Sequence, residues 1–524
     1  MTASVEQDDV GRSACATATV EEVCVGTSAR AAARTTTFPR WIAYVGTSVL
    51  VLVPCFWQSR IQAGDLSSHL YNAWLAQLIE RGQAPGLTLV RQYNNVLFDL
   101  LLSGFMRAWG PGPAQRIAVS FAVLVFFWGA FAFVCSCARE RPRRTPWHLA
   151  ICVAMLAYGW VFHMGLFNFY ISMGLCFGAL ALARRGRPWA LASAIPLLGI
   201  AYTAHALPVG WALGVLAYYG VARALAPRHR ILLFAGALAA MGGVAALLYA
   251  RFGGWWVGSQ LMALSGAEQT WVYAMHYAPI AAAVLTIWIL WFQRILETRG
   301  AERTVLDVRF QLWLLCVVSV VVIPGAVVLP GMRHSLNVMA ERMSLATAVM
   351  FCGLAASVRP RWFETAGMAV IAALFFGGLY ADERTLNRLE AQMAAAVAEL
   401  PPGQRVVSVL AEPNSRVNCL AHLIDRVCVG RCFSYANYEP STSQFRVRAD
   451  RENEIVVWQY GQSWGMQAGG YVVEPRDLPL YKLDVCGPGR SGLCVTPVKA
   501  GVTLQPTYLP VLPLLWNEKG RTGS

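Results

Sequence analysis

The chain has 524 residues, 56% hydrophobic and 14% charged, with a formal net charge of +14 and a mean hydropathy of +0.46. So little charge excludes a soluble globular protein of this length, and several runs of about 20 apolar residues are each long enough to cross a hydrocarbon core of ~30 Å. The arginine excess therefore reads first as membrane topology, and no nucleic-acid partner is expected.

Residues 1–38 are rich in Ala, Thr and Ser, hold no long apolar run, and read as a disordered cytoplasmic tail without a signal peptide. A first span is expected at 41–57. Gln62-Ala63-Gly64-Asp65 then opens a helix over 65–82, in which Leu66, Leu70, Ala73 and Trp74 form an apolar stripe at helical spacing and Asp65 stands at the N-cap. A second helix is expected at 97–109. Its thirteen residues rise only ~20 Å, too little to cross. Both helices are therefore expected on the outer membrane surface, within a first outer loop at 58–114. Further spans follow at 115–137, 147–164, 166–183, 189–206, 207–223, 231–249, 277–293, 310–329, 341–358 and 362–380. Residues 381–400 read as a helix joining the last span to a soluble domain at 381–524, with strands at 405–410 and 454–458. The expected fold class is a polytopic α-helical membrane protein of about eleven transmembrane helices with a C-terminal mixed α/β extracytoplasmic domain.

Arginine sets the orientation. The loops at 138–146, 184–188, 223–230, 294–309 and 359–361 hold four, three, three, four and two arginines, whereas the loops at 250–276 and 330–340 hold one each, Arg251 and Arg333. By the positive-inside rule the first set is cytoplasmic, the N-terminus is inside, and everything after Tyr380 is outside. An oxidising exterior would permit disulfides among Cys419, Cys428, Cys432, Cys486 and Cys494. Cys486 and Cys494, which flank a Gly/Pro/Ser loop, are one candidate bridge. Cys428-Val429-Gly430-Arg431-Cys432 has near-zinc spacing but no second pair, so no metal is expected there.

With this topology His69, His163, His205, His276, His334, Arg251, Arg333, Glu341 and Arg342 all fall at the outer membrane face, the side of Asp65. Polar groups at such depth often mark a site. Each has an ordinary alternative. A histidine at a helix end makes a local hydrogen bond, Glu341-Arg342 forms a structural ion pair, Asn168 satisfies the tight turn at 164–166, and Asp65 only caps its helix.

The residues that gather further meaning are Gly64-Asp65 with Ala73 and Gly82, then Leu97-Phe98-Asp99-Leu100-Leu101-Leu102, Ala108-Trp109-Gly110-Pro111-Gly112 and Gln115-Arg116-Ile117-Ala118. In these the chain resembles the GT-C superfamily of membrane glycosyltransferases, which includes the protein O-mannosyltransferases and the enzyme that adds aminoarabinose to lipid A. The resemblance covers 41–380 by architecture, and 39–380 would be the GT-C-like transmembrane domain. The chain departs from it in carrying a single Asp65 followed by Leu66 where many members have paired acids, and Asn94-Asn95 where Pro-Pro often stands. The resemblance implies a multi-pass protein of a bacterial-type inner or plasma membrane. It implies a polyprenyl-phosphate sugar donor in the lipid, and an envelope glycan, lipid or protein acceptor. Asp65 would be the catalytic base and Asp99 the alternative acid. Arg333 and Arg342 would hold the lipid phosphate, with Arg251, His276, His69 and Glu341 completing the substrate-binding set. No cofactor is implied, although a divalent cation is compatible. A non-catalytic scaffold of envelope polysaccharide assembly is the first alternative. A transporter is the second, disfavoured by the absence of an internal repeat and of mid-membrane charge.

Overall fold

The computed structural model describes residues 40–138, 145–328, 330, 335–489 and 491–512. The expected tail at 1–38 and the arginine cluster at 139–144 lie outside it. The described residues from Ser48 onward form one compact unit, distinct from those before it. The apolar runs of the sequence are helices. Helix α1 (Arg40–Leu52) is followed by α2 (Leu66–Glu80) and α3 (Leu97–Trp109), the two short helices expected after the first span. Then come α4 (Pro111–Cys137), the broken pair α5 (His148–Ala157) and α6 (Trp160–His163), α7 (Phe167–Ala183), α8 (Pro188–Ala204) and α9 (Ala206–Ala224). Helices α10 (Arg230–Arg251), α11 (Ala278–Arg299), α12 (Ala301–Val305), α13 (Val308–Val322), α14 (Met339–Ala355) and α15 (Trp362–Ala398) complete the set before the C-terminal region.

Among the described residues, four helical stretches are long and apolar enough to cross a membrane: Pro111–Cys137, Pro227–Arg251, Met275–Arg299 and Trp362–Ala398. Shorter apolar helices accompany them. Helix α10 leaves Leu232 72% exposed, with Val244 and Leu247 also on the surface. Water would penalise such a face at roughly 25 cal/mol per Å², whereas lipid would not. Helices α4 and α7 approach at glycine: a Cβ on Gly129 would lie 2.0 Å from the Gly174 carbonyl oxygen, and one on Gly174 2.5 Å from the Phe126 Cα. Small residues at a crossing let apolar helices pack by close backbone contact. Here that contact fixes α7, whose N-terminal end carries part of the candidate site.

Helix α15 runs unbroken for 37 residues, so the expected last span and the joining helix are one rod. Its C-terminal half carries buried Asp382, Glu383, Asn387 and Glu390. These groups are paired. Glu383 accepts from Trp57 Nε1 (2.7 Å) and lies 3.3 Å from His163 Nε2, Asn387 Oδ1 accepts from Ser59 and from the Arg60 amide, and Glu390 forks with Arg426. Buried carboxylates persist only when so satisfied, and this ladder ties the loop after α1 to the C-terminal region.

The strands are β1 (Leu87–Leu89), β2 (Arg405–Ser408), β3 (Leu410–Ala411), β4 (Phe433–Ser434), β5 (Val447–Ala449), β6 (Leu480–Val485), β7 (Leu493–Pro497) and β8 (Thr507–Tyr508). A four-stranded sheet has the order β4-β2-β6-β7, parallel except for the β6–β7 pair. The expected strand at 405–410 is present as β2 and β3. That at 454–458 is not a strand. Asn453 Oδ1 accepts the amides of Ile455 and Val456 at 2.9 Å each, so those donors serve a side-chain turn and not a ladder. Among the described residues two disulfides form, the expected Cys486–Cys494 and, at the near-zinc spacing, Cys428–Cys432. Cys419 is buried and free.

Candidate functional site

The C-terminal region reaches back over α2. Strand β1 pairs antiparallel with β5 from Leu87↔Ala449 to Leu89↔Val447. The pairing continues as Val90 N–H donates to the Arg446 carbonyl (2.9 Å) and Gln92 Nε2 to the Gln444 carbonyl (2.5 Å). The short helix α16 (Leu423–Cys428) then packs on α2, and α17 (Glu439–Thr442), which packs on β5, reaches α2 through Glu439, which accepts from Ser68. Asn437 Nδ2 donates to Asn72 Oδ1 (2.9 Å) and the Ser434 amide to the Tyr71 hydroxyl (2.9 Å). Helix α2 buries Ser67, Ser68 and Asn72 as well as Leu66, Leu70 and Ala73 of its apolar stripe, because the C-terminal region packs against it.

Under this cover is a cavity of about 840 Å³, lined by Asp65, His69, Arg342, Asn168, His205 and Tyr438 among others. That size accommodates a small ligand. Its lining mixes rings (Tyr93, Phe167, Phe169, Trp211, Phe445) with amides (Gln92, Asn94, Asn95, Asn337, Gln444). Asn95 has φ +56°, a conformation that asparagine tolerates and proline cannot adopt. The Asn94-Asn95 departure noted in the sequence thus shapes the cavity wall.

The backbone of Gly64-Asp65 is fixed by two hydrogen bonds, Gly64 N–H to the His163 carbonyl (2.7 Å) and Asp65 N–H to the Met164 carbonyl (3.1 Å). Gly165, at φ +84°, makes this approach possible, since a Cβ there would lie 2.4 Å from the Asp65 nitrogen. Asp65 stands at the N-cap of α2, but its side chain makes no capping bond. It is 26% exposed and lies 3.7 Å from His422 Nε2. His422 Nδ1 is in turn 3.1 Å from Asp425, which is fully buried and also accepts from the Ser434 hydroxyl. Burial works against a charged imidazole at His422, but the Asp425 bond and the nearby carboxylates raise its pKa above the ordinary value. The result is a line from the cavity inward, Asp65, His422, Asp425, with Tyr438 packed 5.3 Å from the imidazole.

Asp99 sits behind this wall. His69 Nδ1 bonds its Oδ1 (2.7 Å) and Asn168 Nδ2 donates to its Oδ2 (2.8 Å), while Asn168 Oδ1 accepts from the Phe98 amide (2.8 Å). Asn168 therefore serves the start of α3, not the turn at 164–166. Burial opposes charge on His69, yet Asp99 holds its pKa up at about 9. Asp99 itself stays below its usual range, because the His69 charge and the two side-chain hydrogen bonds outweigh burial. Glu439, which accepts from Ser68 at 3.1 Å, is pushed up to about 8, first by burial and then by Asp99 and Asp65.

Both raised groups bind protons more tightly in the folded protein than in the unfolded chain. The stability they contribute is complete below their unfolded pKa values and is lost as pH rises towards 8–9. The melting temperature in detergent should therefore fall between pH 6.5 and 9, and Asp99→Asn should flatten the His69 part of that slope. A wild-type profile that is flat across this range refutes the assignment.

Of the residues proposed from sequence, Asp65, His69 and Arg342 line one cavity, and Asp99 is one hydrogen bond behind it. Glu341 follows a different path: its Oε1 accepts from Ser259 (3.2 Å) and it forms no ion pair with Arg342 among the described residues. His276 joins Asp382 (3.0 Å) beside Tyr277, and Arg251 is exposed at the end of α10. Neither lines the cavity. Arg333 and His334 lie outside the described residues. Sequence reasoning missed His422, Asp425, Tyr438 and Glu439. The i, i+3 pairing of His422 with Asp425 was the available signal, but nothing local said that 422–439 would return to Asp65. Among the described residues no group of three His, Cys, Asp or Glu side chains could hold a metal ion. The chain matches no protein-family model, no curated protein and no solved structure.

Proposed function

We propose that the chain is a membrane glycosyltransferase that moves a sugar from a polyprenyl-phosphate donor to an envelope acceptor on the outer face of the membrane. In this reading the helices form a bundle of about eleven spans, the N-terminus is cytoplasmic, and the C-terminal region is extracytoplasmic. The observation that carries it is one cavity lined by both an accessible carboxylate, Asp65, and a guanidinium, Arg342. Inverting transfer needs these two groups at its two ends. Asp65 takes the proton of the acceptor hydroxyl, the oxygen forms its bond to the anomeric carbon, and the bond from that carbon to the phosphate oxygen breaks. The departing lipid phosphate gains charge, which Arg342 stabilises. The His422–Asp425 pair behind Asp65 orients that carboxylate and stabilises its charge. Rings and amides on the remaining walls suit a sugar, whose C–H faces stack on rings while its hydroxyls bond to amides.

Transfer of label from a panel of radiolabelled polyprenyl-phosphate hexoses and pentoses to membrane extracts tests the reading. Failure of every donor, with the purified chain folded, would favour the non-catalytic scaffold. The orientation has its own test. Glu454 is 91% exposed and Cys419 is buried, so Glu454→Cys should react with an impermeant maleimide in intact cells. Reaction only after lysis overturns the orientation.

A further inference from the structure

At the other end of the helices lies a second cavity, about 490 Å³, that the proposed transfer does not use. Helix α7 joins the two: Phe167 lines the first cavity and Arg184, just past its last turn, lines the second. Helix α9 does the same with Leu207 and Tyr219. Among the described residues, five arginines, Arg184, Arg230, Arg299, Arg303 and Arg309, line this second cavity with one acid, Asp307.

The acid is already engaged. Asp307 pairs with Arg309 (2.6 Å) and Arg299 (2.7 Å), and it caps α13 through the Arg309 amide. Arg184, Arg230 and Arg303 have no carboxylate partner among the described residues and face the same concavity. The guanidinia are held in place. Arg184 stacks 5.0 Å over Tyr219, and Arg230 Nε donates to the Ala222 carbonyl (3.0 Å). Arg184 Nε is buried with no hydrogen-bond partner among the described residues. An orphaned charged donor is unfavourable to bury. Orientation signals alone require arginines in these loops. They do not require that the arginines converge on a cavity or that one of them bury its Nε donor without a hydrogen-bond partner.

We propose that this cavity binds a phosphate-bearing anion carrying two or more negative charges. Arginine forks match phosphate oxygens, and basic pockets between membrane helices take phospholipid headgroups. The same chemistry could arrive as an anionic lipid headgroup or as a soluble diphosphate, and the test separates them.

The full-length protein in phosphatidylcholine nanodiscs is titrated with inorganic pyrophosphate, and in a second arm is reconstituted with increasing tetraoleoyl cardiolipin, with occupancy read by native mass spectrometry. Binding to one probe alone supports the proposal and names the source; binding to both supports it with the phosphate chemistry shared. Arg184→Gln and Arg303→Gln should each weaken binding about tenfold, the loss expected for one charged contact, and added salt should weaken it further. Arg303 is exposed on the short α12, so its variant reports on binding even if Arg184→Gln fails to fold. Absence of binding to both probes, or equal binding by wild type and Arg303→Gln, overturns the proposal.

Discussion

Asp65→Asn should lower sugar transfer by ~10²–10⁴-fold, the usual loss when a general base is removed, and should leave the fold intact. The reason the fold survives is specific. The Asp65 side chain makes no capping bond to α2, and the contacts that fix this residue run through the backbone of Gly64 and Asp65 to His163 and Met164. Asparagine keeps the volume and the backbone but cannot take a proton at neutral pH. Asp99→Asn is the informative contrast. Both Asp99 oxygens are engaged, by His69 and by Asn168, so that change should destabilise the protein more than it alters the chemistry. His422→Gln should fall between, because it removes the group that faces Asp65 without removing the base. Rates with a radiolabelled polyprenyl-phosphate sugar, read beside melting temperatures, separate these outcomes. Near-normal transfer by Asp65→Asn together with full loss in a folded Asp99→Asn would move the base to Asp99.

What could be read in the chain beforehand was local. The stripe of Leu66, Leu70, Ala73 and Trp74 specified α2, and the apolar runs specified α3 and the long helices, because each is encoded by neighbours three or four residues apart. The single acid at 65 was legible for the same reason, as was Arg342 at the start of its helix. The partners of Asp65 were not. His422 and Asp425 are some 360 residues away in sequence, and they arrive only because β5 pairs with β1 and α16 packs on α2. A two-polar-faced helix such as α2 also misleads. Its Ser67, Ser68 and Asn72 look like a solvent face until a covering segment supplies Glu439 and Asn437 as their hydrogen-bond partners. The strand expected at 454–458 failed for a related cause: one asparagine side chain captured the amides that a ladder would have used.

Arg342→Gln should weaken binding of a polyprenyl-phosphate by about 10–100-fold, corresponding to the ~1.5–3 kcal/mol of one hydrogen bond to a charged group. Arg342 is on the first turn of α14, lines the Asp65 cavity, and has its Nε buried without a partner among the described residues. The alternative, a structural ion pair with Glu341, is not made among the described residues, since Glu341 takes the Ser259 hydroxyl. Truncating Arg342 therefore leaves no carboxylate stripped of its partner, and the protein should express and melt as the wild type does. The Coulomb attraction between Arg342 and Asp65 adds a second expectation. Without a donor the two opposite charges favour each other, so a phosphate has to compete with Asp65 for this guanidinium. Arg342→Lys should retain part of the affinity, because an ammonium supplies charge but not the planar fork. Donor affinity that is unchanged in Arg342→Gln removes it from the phosphate site, and loss of expression in that variant would restore the structural reading.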